Sequence, residues 1–328
     1  MIQLTRRQLL RRSLAAATLP LAAPAAWAQA PYPNRPIKWL VPYLAATAPD
    51  TSARILAEAV EPILGQPIVI ENRPGAGGNI GTRLVAKAPA DGYTWLYAAV
   101  PMASNMRIFK NPGYDVLKDF RHVIRVTKSE VALVVAADSD IRTLDDLLAR
   151  LKARPGKVDY ASGGIGTPSH LGMEQLLAAT GTQALNVPYK GASEIVNAVL
   201  GKQVTFGMPI FSVAYPFVQG GKLRALAVSG HARNPTLPQV PTLAELGVKG
   251  IELTSWGGVS VPAGTPDAVV QRMGDAFVQA LKNPQLITRL EQQGGQVQVM
   301  DTAGFVASIE QEMKTTEAMM KRVGLEPL

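Results

Sequence analysis

The 328-residue chain contains no cysteine, which excludes a disulfide framework, a thiolate metal site, a cysteine nucleophile and a lipid-modified cysteine at a cleavage point. Histidine is nearly as scarce. His122, His170 and His231 are scattered, with no His-x-x-x-His pair and no acidic cluster at ligand spacing, so no metal is expected. The Gly-x-Ser-x-Gly elbow of serine hydrolases is missing. Carboxylate pairs such as Asp145-Asp146 open a charged helical segment, where solvation is their expected role. No catalytic residue and no cofactor is assigned on these grounds. Dense Lys/Arg runs are also absent, which speaks against nucleic acid.

Acidic residues are missing from the first thirty positions, where Arg6-Arg7 and Arg11-Arg12 precede an apolar run from Leu14 to Ala26. That run holds Pro20 and Pro24 and falls short of the about 20 apolar residues a spanning helix needs. Basic charge, a short apolar stretch and then small residues is the order of an export signal, and paired arginines suit the twin-arginine type. Ala26-Trp27-Ala28 supplies small residues for cleavage near Ala28, so residues 1–28 are read as a signal peptide and the mature protein as periplasmic and free of a membrane anchor. Removing the four leader arginines lowers the formal net charge from +8 to +4.

From Tyr32 onward, short apolar runs alternate with helical patterns, the mark of βα units and mostly parallel sheets. Strands are expected at 37–41, 68–71, 94–98 and 131–135, with a helix from about Pro49 or Asp50 to Leu64. The pattern then restarts as though a second, similar layer were inserted. Helices are expected at 144–153, 168–179 and near 192–200, and strands at 158–161, 185–187, 204–206 and 223–228. After Leu253 come Trp256-Gly257-Gly258 and Pro262 to Pro266, then mostly helix to the end, with Thr265 as N-cap and Pro266 at the first helical position.

Two stretches have the form strand, glycine-rich loop, helix: Asn72 to Gly81 and Ser162 to His170. Free backbone N–H groups at a helix start make such loops anion cradles. Neither fits a dinucleotide fingerprint, since Ile80 stands where the third glycine belongs and the second loop is too short between its glycines. The first loop is equally compatible with tight structural packing. The second gathers Ser162, Thr167, Ser169 and His170 at one helix start, which favours ligand binding.

Several blocks together resemble the Bug family, the substrate-binding proteins of tripartite tricarboxylate transporters. They are Tyr32 to Ile37, Gly65 to Gly81, Asp91 to Thr94, Val187 to Gly191, Gly221 to Val228, Val240 to Thr242 and Trp256 to Pro266. The resemblance implies an α/β, two-lobed periplasmic binding protein of type II-like fold, each lobe a mostly parallel sheet flanked by helices and joined by two crossover hinge strands. Residues 31–131 plus 254–328 would form one lobe and 132–253 the other. It further implies a monomer that closes on a small carboxylate held by the loops Tyr43 to Asp50 and Ser162 to His170, and passes it to membrane subunits of the transporter. The expected ligand-binding residues are Tyr43, Ala45, Ala46, Thr47, Asp50, Ser162, Gly163, Gly166, Thr167, His170, Met208 and Pro209.

Two departures from the family pattern bear on the ligand. Ala46 and Thr47 replace paired glycines, which narrows the pocket or adds a hydroxyl donor. Pro209, between Met208 and Ile210, replaces an aspartate able to meet an amino or hydroxyl group. A buried ammonium would then lack a charge partner, so an aliphatic or aromatic mono- or dicarboxylate is expected rather than an amino acid. A sensor that presents a bound carboxylate to a signalling partner is the alternative.

Overall fold

The computed structural model describes residues 32–328 except His231, Glu252 and Gly294. The export signal read in residues 1–28, and with it the cleavage near Ala28, lies outside the described residues.

Two sheets organise the chain. The first contains β1 (Ile37–Val41), β2 (Ile68–Asn72), β3 (Thr94–Ala99), β4 (Phe120–Glu130), β10 (Thr254–Pro262) and β11 (Gln296–Met300), in the spatial order β11-β4-β10-β3-β1-β2. The second contains β5 (Ala132–Ala136), β6 (Asp159–Ser162), β7 (Leu185–Pro188), β8 (Phe206–Gly207) and β9 (Leu223–Val228), in the order β7-β6-β8-β5-β9. Helices α1 (Ala48–Leu64), α2 (Asn79–Ala86), α3 (Val100–Ile108), α8 (Asp267–Ala280), α9 (Pro284–Glu291) and α10 (Thr302–Val323) accompany the first sheet in sequence. Helices α4 (Leu144–Ala153), α5 (Pro168–Thr180), α6 (Ala192–Leu200) and α7 (Phe211–Gln219) accompany the second.

Both sheets are mixed, where mostly parallel pairing was expected. Parallel pairs join β1 to β2 and β3, and β6 to β7 and β8; the pairs made by β4, β5 and β10 are antiparallel. Connectivity supplies the reason. β4 carries the chain out of the first sheet, with only Val131 before β5, and β10 brings it back, so these neighbours must run in opposite directions, with Thr254 paired to Glu130.

Alternation along the strands divides the core. Trp39, Trp95 and Tyr97 point to one face with Phe277, while Leu40, Leu96 and Ala98 point to the other with Phe305. A strand buried on both faces requires helices on both sides. On the first face Trp39 meets Trp95 and Phe277 edge to face, each at 5.7 Å between ring centroids. In the second sheet Leu133 and Val135 face α4 and α5, and Ala132 and Val134 face α6 and α7. The second core also takes in Ile108, Met319 and Met320, so α3 and α10 begin on the first sheet and end against the second. The last helix boundary differs by one residue: α8 starts at Asp267 with Pro266 as N-cap, and the Thr265 hydroxyl instead donates to Pro262 O at 2.7 Å.

Candidate functional site

A cavity of about 660 Å³ lies where segments of the two lobes meet, and its walls come largely from the starts of helices. Thr47, Ala48 and Pro49 open α1; Thr167, Pro168 and Ser169 open α5; Gly191 and Ala192 open α6. The first amides of a helix have no partner within it, and each N-terminus carries about half a unit of positive charge. Three such ends therefore face one space. No acidic side chain lines it among the described residues. Apolar groups make up most of the rest, including Tyr43, Leu44, Phe109, Ile165 and Ile210.

The α1 start is held by Asp50. Its carboxylate accepts from Ala46 N at 2.9 Å, Arg54 Nε at 3.1 Å and Asn72 Nδ2 at 2.9 Å. Burial works to raise the pKa of this group, but the hydrogen bonds from Arg54, Ala46 and Asn72 outweigh it and hold the carboxyl below its ordinary value. Ala46 is thereby pinned at φ 61°, a left-handed conformation that its side chain disfavours. Thr47 turns its hydroxyl back onto Leu44 O at 2.7 Å. A methyl placed on Gly191 would lie 3.7 Å from Thr47 Cγ2, so it is the methyl of Thr47 that faces the α6 start. Of the two effects expected there, the extra hydroxyl donor is already engaged by Leu44 O.

The α5 start is held by a chain of hydroxyls. Gly163 N donates to Ser169 Oγ at 2.8 Å, Ser169 Oγ lies 2.9 Å from Thr167 Oγ1, and Thr167 Oγ1 donates to Gly164 O at 2.7 Å. The glycine-rich loop after β2 forms a third wall. Gly75, Ala76, Gly77 and Gly78 all have positive φ, which explains why glycine recurs there, and Asn105 Nδ2 donates to Gly77 O at 3.2 Å. This loop is thus both tightly packed and part of the cavity.

Tyr43, Thr47, Gly163 and Thr167 line the cavity among the residues named from sequence. Ala46 lines an adjoining chamber of about 400 Å³. Ala45 is exposed and lines neither. Asp50 supports its loop from behind. Ser162 is buried, with its carbonyl taking Tyr189 N at 2.8 Å, and Gly166 O accepts from Ser104 Oγ of α3 at 3.0 Å. His170 turns away from the cavity. Its Nε2 lies 4.0 Å from Glu174 Oε1, which accepts from Tyr160, and burial lowers its basicity against the opposing pull of Glu174. Met208 and Pro209 are buried; Met208 packs in the second core, Pro209 O accepts from Ala132 N at 2.9 Å, and the following residue, Ile210, reaches the cavity instead.

The sequence grouped Ser169 with the second loop and left the Asn72 to Gly81 loop open between packing and binding, and it gave no place in the site to Ile210 or the α6 start. The last had a local signal, since Gly191 directly precedes the apolar pattern of 192–200 and glycine is an acceptable N-cap.

The model of the tripartite tricarboxylate transporter family receptor matches residues 52–325. The chain belongs to this receptor family. A Cupriavidus necator relative, described as a UPF0065 protein in the gbd 5' region, is 37% identical over 318 residues, covering 96% of each chain. Protein BugT of Bordetella pertussis is 34% identical over 281 residues, covering 84% of this chain and 86% of BugT. Among solved structures, the periplasmic binding protein BugD superposes with a TM-score of 0.86 at 34% identity, over 90% of this chain and 100% of its own. An R. palustris protein with adipate gives 0.87 at 30% identity, covering 90% and 100%. MatC from Rhodopseudomonas palustris, with bound malate, gives 0.82 at 27%, covering 88% and 99%. The family consists of binding proteins rather than enzymes, and the two-lobed α/β fold is theirs.

Proposed function

We propose that this receptor captures a small carboxylate without an amino group, aliphatic or aromatic, between its lobes in the periplasm and delivers it to the membrane subunits of a tripartite tricarboxylate-type transporter. The observation that carries the reading is the convergence of three helix N-termini on one cavity with no acidic side chain in its lining. A carboxylate gains there from free amides and from the summed dipoles. An ammonium group would meet the same positive ends with no carboxylate to pair it, so the exclusion of amino acids now rests on the whole lining rather than on Pro209. The neighbours with adipate and with malate bind ligands of this class.

Export by the leader in residues 1–28, a monomeric state and hinge closure along the β4–β5 and β9–β10 connections complete the proposal. In it, residues 31–131 with 254–328 and residues 132–253 are the closing bodies. Thermal unfolding in the presence of mono-, di- and tricarboxylates tests it. A ligand at 100 times its dissociation constant adds about 2.7 kcal/mol of stability. Shifts are expected with amino-free acids. A large shift with aspartate or glutamate and none with their deaminated counterparts would overturn the ligand class.

A further inference from the structure

The cleft has two chambers, the smaller with the larger share of polar groups in its lining. The larger is walled mostly by apolar groups and backbone, with Lys190 also in its lining, whereas the smaller, of about 400 Å³, sets Lys128, Thr127, Ser193 and Asn197 among apolar Val196, Phe217 and Trp256. Ala48, Pro49, Ile210 and Ser255 line both, so the chambers abut at a shared waist next to the α1 start. Lys128 is fixed at its root within β4, opposite Trp256 of β10 and Gln296 of β11. It has no ion-pair partner among the described residues, and no acidic side chain lines the smaller chamber either. A half-buried lysine without an ion-pair partner, with hydroxyl and amide groups in the same lining, is complementary to an anion.

We infer that the smaller chamber receives a second anionic group of the same ligand, with Lys128 as its counter-charge and specificity determinant. The preferred ligand is then an elongated dianion: one carboxylate at the three helix starts, an apolar body along Ile210 at the waist, and the second head at Lys128. This rests on the carboxylate reading above and narrows it. Pockets that enclose a drug-sized ligand measure roughly 300–1,000 Å³, and each chamber alone falls in that range. A compact four-carbon diacid would therefore leave one of them unfilled.

Calorimetric titration with unbranched α,ω-diacids of increasing chain length, each beside the monoacid of equal length, tests the assignment on the wild-type protein, Lys128→Met and Lys128→Arg. In the wild type the diacid series should show an optimum beyond four carbons, where the diacid binds at least ~10-fold tighter than its monoacid, the scale of one charge-assisted hydrogen bond. Lys128→Met should bring that diacid down to its monoacid while leaving the monoacid unchanged, and Lys128→Arg should keep most of the preference. Equal weakening of both series by Lys128→Met would make Lys128 a source of general field and overturn the assignment. So would wild-type affinity indifferent to the second carboxylate, a comparison that stands even if Lys128→Met does not fold. Absence of binding by every acid would instead overturn the carboxylate reading itself.

Discussion

Replacing Ser169 with alanine cuts the hydroxyl chain of the α5 loop at its centre. The Thr167 proton is committed to Gly164 O, so the Ser169 proton points to Thr167 Oγ1 and the Ser169 oxygen accepts from Gly163 N. Ser169→Ala removes the two bonds that tie Gly163 to Thr167. At about 0.5–1.5 kcal/mol net per bond the loss is about 1–3 kcal/mol. Gly163 is half-buried, so water can reach its freed N–H and the lower half of that range is expected. The loop must be ordered before its amides can hold an anion, so a loss of about 1 kcal/mol in loop order weakens binding about fivefold. Scanning calorimetry of the unliganded protein and titration with an amino-free diacid read the two effects separately. If the melting temperature falls but affinity does not change, this loop does not contact the ligand. If neither changes, the hydroxyl chain contributes nothing.

Ala46→Gly relieves a left-handed alanine, worth about 1–2 kcal/mol, against about 0.5–1 kcal/mol of added unfolded-state entropy; a small rise in melting temperature is expected, and a fall would contradict the positive φ. His122 is bonded through Nδ1 to Ser260 Oγ and through Nε2 to Val116 O, and burial lowers its pKa to about 4. Its folded value lies below the unfolded one near 6.5, so its contribution is present above pH 6.5 and is lost as pH falls toward 4; an imidazole NMR titration with a midpoint near 6.5 would contradict this. Glu312 is pushed up to about 7 by burial, with Trp256, Arg125 and Thr316 opposing. Its raised value means stability is full below pH 4.5 and falls as pH rises through 7. Glu312→Gln should then be close to neutral at pH 4 and stabilising by about 1–3 kcal/mol at pH 8 in urea unfolding, and an unchanged pH slope would refute the assignment.

Much of the fold was legible because its elements carry local signals. The helices at 144–153 and 192–200 coincide with their expected bounds, and β1 and β9 do likewise. β4 was not legible as a strand. It buries His122 and Arg125, whose partners Ser260, Gln298 and Met300 lie more than 130 residues away, so its charged pattern resembles a surface until the fold supplies them. β10 was hidden by Gly257 and Gly258. A side chain on Gly257 would meet the Tyr97 hydroxyl at 2.0 Å, a demand invisible in the local sequence. The cavity loops could be located from glycine and N-cap signals, but not which side chains turn inward. Asp50 and His170 sit at helix starts, as the sequence suggested, yet packing turns one toward Arg54 and the other toward Glu174.

Titration with adipate against its uncharged diamide shows whether the cavity selects negative charge at its converging helix starts. The two share chain length and shape and differ in charge. Adipate is expected to bind with the diamide at least ~10-fold weaker, as loss of charge-assisted hydrogen bonds requires. Equal affinity for the two would mean that the cavity does not select charge.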